Sequence, residues 1–206
     1  GVDRSEVVYS FTHPLIQEVV YAELPEMARR RAHVAAIKAI ESLLEIRPGN
    51  VDQLARHYVG AGPEADPGRA LAVLLAAGER AREVYANEQA ARHYAAALAL
   101  VREARLRESG GREDSSSTLN PSLSTLSQVL ERLGEVLERV GEGGAAVGLW
   151  NEALVLLSEG EWAGDALAAS RLRRQLALAE WDRGHFEIAS AHVKAGLVLL
   201  TEGLAG

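Results

Sequence analysis

The sequence predicts an all-α fold of antiparallel helix hairpins stacked side by side, and three observations carry that prediction. The chain is 48% hydrophobic, 5% aromatic and 25% charged, with Ala, Leu, Glu and Arg abundant, a composition suited to amphipathic helices. Apolar residues recur at helical spacing, as in Leu123, Leu126, Leu130, Leu133 and Leu137. A small-residue signature also repeats: Gly78, Ala90, Tyr94 and Ala97, then Gly134, Ala146, Trp150 and Ala153, and more weakly Ala177, Ala189, Val193 and Gly196. Small residues at matched heights let two helices approach to about 8–10 Å, while the bulky residue fills the space beside them.

Taken in order, Val7-Val8-Tyr9-Ser10-Phe11 is β-branched and aromatic and predicts a short strand. Thr12 then caps a helix that tolerates Pro14 in its first turn, carries Leu15, Val19 and Val20 on one face and ends near Leu24 before Pro25. A second helix is expected to Leu44, with Met27, Ala35, Ile37, Ile40 and Leu44 inward and Arg29, Arg30, Arg31, Lys38 and Glu41 outward. Arg47-Pro48-Gly49-Asn50 breaks it.

A short helix over 51–59 presents Leu54, Ala55 and Tyr58, and a turn rich in Gly and Pro follows. The next helix runs from Gly68 to Tyr85 and serves two neighbours, after which Asn87 caps the helix of Ala90, Tyr94, Ala97 and Leu98. Residues 107–122 hold Ser, Gly and charge with too little apolar content to bury, so they read as a loop inserted between repeats. Asn120-Pro121 signals the start of the Leu123 helix, and the Gly141-Glu142-Gly143-Gly144 run turns the chain into a helix through Trp150 and Leu157. Asp165 caps a helix with Leu167, Leu172, Leu176 and Ala177; Gly184-His185-Phe186 turns into the last helix, which stops at Gly203.

Composition also excludes several functions. With no cysteine there is neither a disulfide framework nor a thiolate nucleophile, which favours the reducing cytoplasm. A formal charge of -7 argues against nucleic acid as a general ligand. No apolar run reaches the roughly 18–20 residues of a membrane span. The chain opens on Gly1 and its single methionine is Met27, so the sequence reads as a piece of a longer polypeptide. His13, His33, His57, His93, His185 and His192 include no pair at a metal-binding helical spacing, and they read as structural or solvated. The glycines at 141–144 follow a leucine-rich helix rather than a strand, so a hairpin turn is the better reading there than a phosphate loop. Nothing suggests catalysis, a metal or a cofactor in this chain.

The hairpins resemble tetratricopeptide repeats, and Gly184-His185-Phe186-Glu187-Ile188-Ala189 matches that family's turn. The resemblance implies a right-handed superhelix and a binding role. Tyr9-Ser10-Phe11-Thr12-His13-Pro14-Leu15-Ile16-Gln17-Glu18-Val19-Val20-Tyr21, with Leu54-Ala55-Arg56-His57-Tyr58 and Ala77-Gly78-Glu79-Arg80-Ala81, is similar to a junction in bacterial STAND-class signalling ATPases. In those proteins, including fusions to class III adenylate or guanylate cyclases and large LuxR-type regulators, such residues close a winged-helix region and helical repeats follow. By that resemblance, 1–47 is the end of the junction, 48–106 the first repeats, 107–122 the loop and 123–206 the C-terminal repeats. There is no Gly-x-x-x-x-Gly-Lys-Ser/Thr loop, so ATP is expected only in a separate ATPase domain.

Two surfaces are candidates for partners. Projecting the repeat places Gln128, Glu131, Glu135, Glu138 and Arg139 on one inner face and Arg171, Arg174, Trp181 and Asp182 on the next, giving an acidic stripe beside arginines and a tryptophan. Aromatic and arginine anchors are common at hot spots, although a Glu stripe alone only solubilises. Arg29, Arg30 and Arg31, with His13 at the junction, are candidates for contact with an upstream ATPase domain, against the plain alternative of a solvated helix face. The expected function is a non-catalytic interaction or sensing scaffold that takes a protein or peptide. The alternatives are a small-molecule effector sensor and a self-association module.

Overall fold

The computed structural model describes residues 14–44, 50–109, 122–159 and 165–203. Among these the regular structure is helical: α1 (Pro14–Glu23), α2 (Glu26–Leu44), α3 (Val51–Ala61), α4 (Pro67–Glu83), α5 (Asn87–Ser109), α6 (Leu123–Arg139), α7 (Gly143–Glu159), α8 (Ala166–Asp182) and α9 (Phe186–Gly203), with a 3₁₀ turn at Gly62–Glu64. Consecutive helices pair as α2–α3, α4–α5, α6–α7 and α8–α9, and the pairs touch through α3–α4, α5–α6 and α7–α8. The expected strand at Val7–Phe11 and the cap at Thr12 lie outside the described residues.

A glycine under an aromatic ring sets the spacing within hairpins. A Cβ on Gly78 would stand 2.8 Å from the Tyr94 ring, and one on Gly134 would stand 2.3 Å from Trp150 Nε1. Each ring therefore occupies the space a side chain would need, and each is anchored at its polar end. Tyr94 donates to Glu79 Oε2 at 2.9 Å, while Trp150 Nε1 donates to the Glu131 carbonyl at 3.2 Å. The α2–α3 hairpin uses the same device in reverse: His33 on the first helix lies over Gly60 on the second, where a Cβ would meet it at 2.4 Å. The sequence pattern missed this copy because the ring precedes its glycine. In α8–α9 the device is absent, since Ala177 replaces the glycine and Val193, expected as the filler, is half exposed.

The main core runs from α3 to α8 around Leu74, Tyr94, Leu130, Trp150 and Leu172, and a smaller one joins Ile37, Ile40, Leu54 and Tyr58. Among the described residues, several apolar positions expected in the core are open. Leu15, Val19 and Val20, the expected apolar face of α1, are exposed, as are Met27, Ala35 and Leu167. Arg29 and Arg30, expected outward, are partly buried, whereas Arg31 is exposed.

Helix starts corrected several expectations. Asp66 Oδ1 accepts from the Arg69 amide at 2.7 Å, so α4 opens with Pro67 in its first turn. Asn87 lies inside α5, because the Ala86 carbonyl already accepts from the Ala90 amide at 2.9 Å; the Asn87 side chain is left without its capping role. Ser122, rather than Asn120, caps α6 by accepting from the Thr125 amide at 3.2 Å; Asn120 is outside the described residues. Asp165 caps α8 as expected, accepting from the Ala168 amide at 2.8 Å. The expected loop begins later than 107, since α5 continues to Ser109 and Arg107 pairs with Glu103 one turn back at 2.6 Å.

Candidate functional site

The first helices of successive hairpins, α4, α6 and α8, share a face, and a hollow of about 540 Å³ opens along it. Leu75 and Glu79 of α4, Tyr94 of α5, Thr125, Gln128, Val129, Glu131, Arg132 and Glu135 of α6, and Arg171 of α8 line this groove. Their spacing explains why: Gln128, Glu131, Arg132 and Glu135 recur at three and four residues, so they form one stripe of α6 while Val129 and Leu130 turn into the core.

Polar contacts tie the three helices together across the groove. Glu135 accepts from Gln175 Nε2 of α8 at 3.0 Å, and its Oε2 lies 3.5 Å from Arg82 of α4 and 3.5 Å from Arg132. Glu79 takes a close fork from Arg82 as well as the Tyr94 hydroxyl. Arg82 above all, then Tyr94, holds the Glu79 carboxyl below the usual carboxylate range against the effect of burial. Burial, reinforced by hydrogen bonding to Glu79, pushes the Tyr94 hydroxyl up to about 12.

Glu131 is different. Its side chain is only 15% exposed, yet the cation against it, Arg171 Nε, stands 3.6 Å away on a side chain that is 53% exposed. Burial raises its pKa, and Arg171 opposes that shift only in part. Glu138 is also raised, by burial first and then by the charge of Asp182.

Of the residues proposed from sequence, Gln128, Glu131, Glu135 and Arg171 meet in this groove. Glu138 and Asp182 neighbour one another beyond it, and Arg139 and Arg174 are exposed without lining it. Trp181 was expected on the inner face. It is 60% exposed, does not line the groove, and packs edge-on against Phe186, with ring centroids 4.8 Å apart, where the turn at Gly184 brings α9 back. Sequence reasoning missed Glu79, Tyr94, Arg82 and Arg132. The repeat pattern marks Tyr94 as a space-filling ring, and in the structure it also borders the groove, with its hydroxyl on Glu79.

Near the other end, a hollow of about 330 Å³ is lined by Tyr21, Glu26, Arg29, Arg30, Val59, Gly60 and Gly62. Arg29 lies over the Tyr21 ring, 5.5 Å from its centroid, and Arg30 pairs with Glu26. The Tyr21 hydroxyl bonds His33 Nε2 at 2.8 Å, and His33 Nδ1 bonds His57 Nδ1 at 2.9 Å, a chain joining α1, α2 and α3. Arg31 does not line this hollow, and His13 is outside the described residues. Among the described residues, no group of three or more His, Asp or Glu side chains is placed to hold a metal ion, and no helix is long and apolar enough to cross a membrane.

The chain matches no known family model and no curated protein. Among solved structures it is similar to BtubC (BKLC) from P. vanneervenii, at 13% identity over 87% of this chain and 75% of that one, with a TM-score of 0.54. It is also similar to MamA, at 17% identity over 84% of this chain and 92% of that one, with a TM-score of 0.47. At such identity, the likeness to BtubC extends to the helical fold alone.

Proposed function

We propose that this chain is a non-catalytic scaffold of tetratricopeptide-like repeats, wound as a right-handed superhelix, that captures a protein or peptide partner. Its setting in this reading is a cytoplasmic, multidomain bacterial signalling ATPase, nucleotide cyclase or transcription regulator, as the junction resemblance implies. The observation that supports capture is the groove: three hairpins present one continuous polar face, with charged groups of both signs over the apolar Leu75. An extended or helical segment finds hydrogen-bond partners and an apolar contact there.

Panning a displayed peptide library on the purified chain tests this. The expected result is a sequence family whose synthetic members bind and protect the Gln128 and Arg171 faces from hydrogen exchange. Enrichment of no family, or binding elsewhere, overturns the reading. The parent assignment has its own test in the encoding reading frame, where an upstream phosphate loop is expected and its absence removes the ATPase context.

A second reading, an effector sensor, draws on the groove volume of about 540 Å³, which lies within the range of small-molecule sites. It predicts that one member of a metabolite panel raises the melting temperature.

A further inference from the structure

The groove carboxylates differ in how well they are satisfied. Glu79 has the Arg82 fork and the Tyr94 hydroxyl, and Glu135 has the Gln175 amide with Arg82 and Arg132 beside it. Glu131 has no hydrogen-bond donor on its carboxylate among the described residues; Arg171 stands 3.6 Å away and Arg132 acts on it through charge alone. Such a carboxylate gains more from an incoming donor than one that is already bonded.

The arrangement of charge with depth sets the sign of that donor. On α6 and α8 the carboxylates lie low, Glu131 at 15% and Glu135 at 19% exposure, while the guanidinium groups beside them stand at the rim, Arg132 at 44% and Arg171 at 53%; Arg82 of α4 lies nearly as deep as Glu135, at 22%, but is forked by Glu79. A side chain that reaches Glu131 therefore meets a carboxylate on which no hydrogen-bond donor is seated. A carboxylate or phosphate would find Arg132 and Arg171 at the rim, Arg82 being held by Glu79, and would face Glu131 and Glu135 below them. Burial holds the Glu131 pKa up, so a cation placed beside it would reverse a cost the free protein carries.

We propose that the groove takes a positively charged side chain, a lysine ammonium or arginine guanidinium on a partner polypeptide, and that Glu131 is its acceptor. This rests on the partner-capture reading and names the chemistry it selects. A polypeptide source fits better than a free amine because the half-buried Leu75 beside the charged floor offers an apolar contact for a flanking residue.

The test uses blocked peptides Ac-Ala-Leu-X-Leu-Ala-NH2 with X as Lys, Arg, norleucine or Glu, titrated into the chain while the Gln128 and Gln175 side-chain amides are followed by NMR. Lys and Arg peptides are expected to bind about tenfold or more tighter than norleucine, the scale of one charge-assisted hydrogen bond. Glu131→Gln should abolish that preference and leave the norleucine affinity unchanged. Arg171→Ala, at a half-exposed position that leaves the fold intact, should strengthen Lys and Arg binding by freeing the carboxylate. Equal affinity for Lys and norleucine, a preference that survives Glu131→Gln, or no gain in Arg171→Ala overturns the proposal. So does free butylamine binding as tightly as the Lys peptide, which would make this a small-amine site. If no peptide in the series binds while panned peptides do, the cation subsite fails and partner capture stands.

Discussion

Gly134 and Gly148 sit in partner helices of one hairpin, and an alanine at each meets opposite fates. At Gly134 the new Cβ falls 2.3 Å from the Trp150 indole nitrogen, whereas at Gly148 nothing lies within 4 Å. Gly134→Ala is expected to destabilise by about 1–3 kcal/mol through overpacking. Gly148→Ala should stabilise by about 0.5–1 kcal/mol through helix propensity. Urea unfolding of the two variants checks both signs. Glu131 makes a further residue-scale prediction. Its raised pKa means the native state holds its proton more tightly than the unfolded chain, so this group's contribution is most favourable at low pH and is lost as pH rises through its folded value. Glu131→Gln should therefore be as stable as the parent or more so at neutral pH, with the difference vanishing in acid. His57 has the opposite sense: burial, then His33 and Arg56, lowers its pKa from 6.5, so the unfolded chain binds its proton first. Stability should fall as pH drops below about 6.5 and level off once the folded histidine titrates, and His57→Gln should flatten that slope.

At the scale of elements, the nine helices of the described residues were legible in the sequence, and their first residues less so. Periodicity comes from many residues at once, so a single misread position does not erase it. A cap rests on one side chain. Asp165 competes with no neighbour and was read correctly; Ser122 was hidden by the Asn120-Pro121 signal, and Asn87 drew attention from Ala86 although the helix had already begun. Ser122→Ala should cost about 0.5–2 kcal/mol and lower the α6 contribution to helicity, measured by circular dichroism with urea. Burial at the ends was the other failure. The apolar stripes of α1 and α9 look like core in sequence, but coverage depends on a neighbour that sequence periodicity does not name: Leu98 and Val101 are buried where α5 meets α6, while the aligned Leu197 and Leu200 of α9 remain open.

Across the whole molecule, stability in a stack is a sum of hairpins and their nearest-neighbour interfaces. The main core spans α3 to α8, so hydrogen exchange should be slowest in α5, α6 and α7 and fastest in α1 and the outer face of α9. Equal protection from end to end would contradict this. The candidate site was partly legible for the same reason. Gln128, Glu131 and Glu135 share a helix and followed from spacing, while Glu79, Arg82 and the Tyr94 hydroxyl reach the groove from another hairpin whose placement spacing does not define. Trp181 stands apart from the groove lining, and its contact with Phe186 depends on the turn at Gly184, which helical spacing alone does not define.

The indole of Trp150 is fastened to the main chain of the very residue whose carboxylate is still short of a donor. Filling of the hollow is therefore expected to perturb the fluorescence of a buried indole, a change to be read against the exposed Trp181.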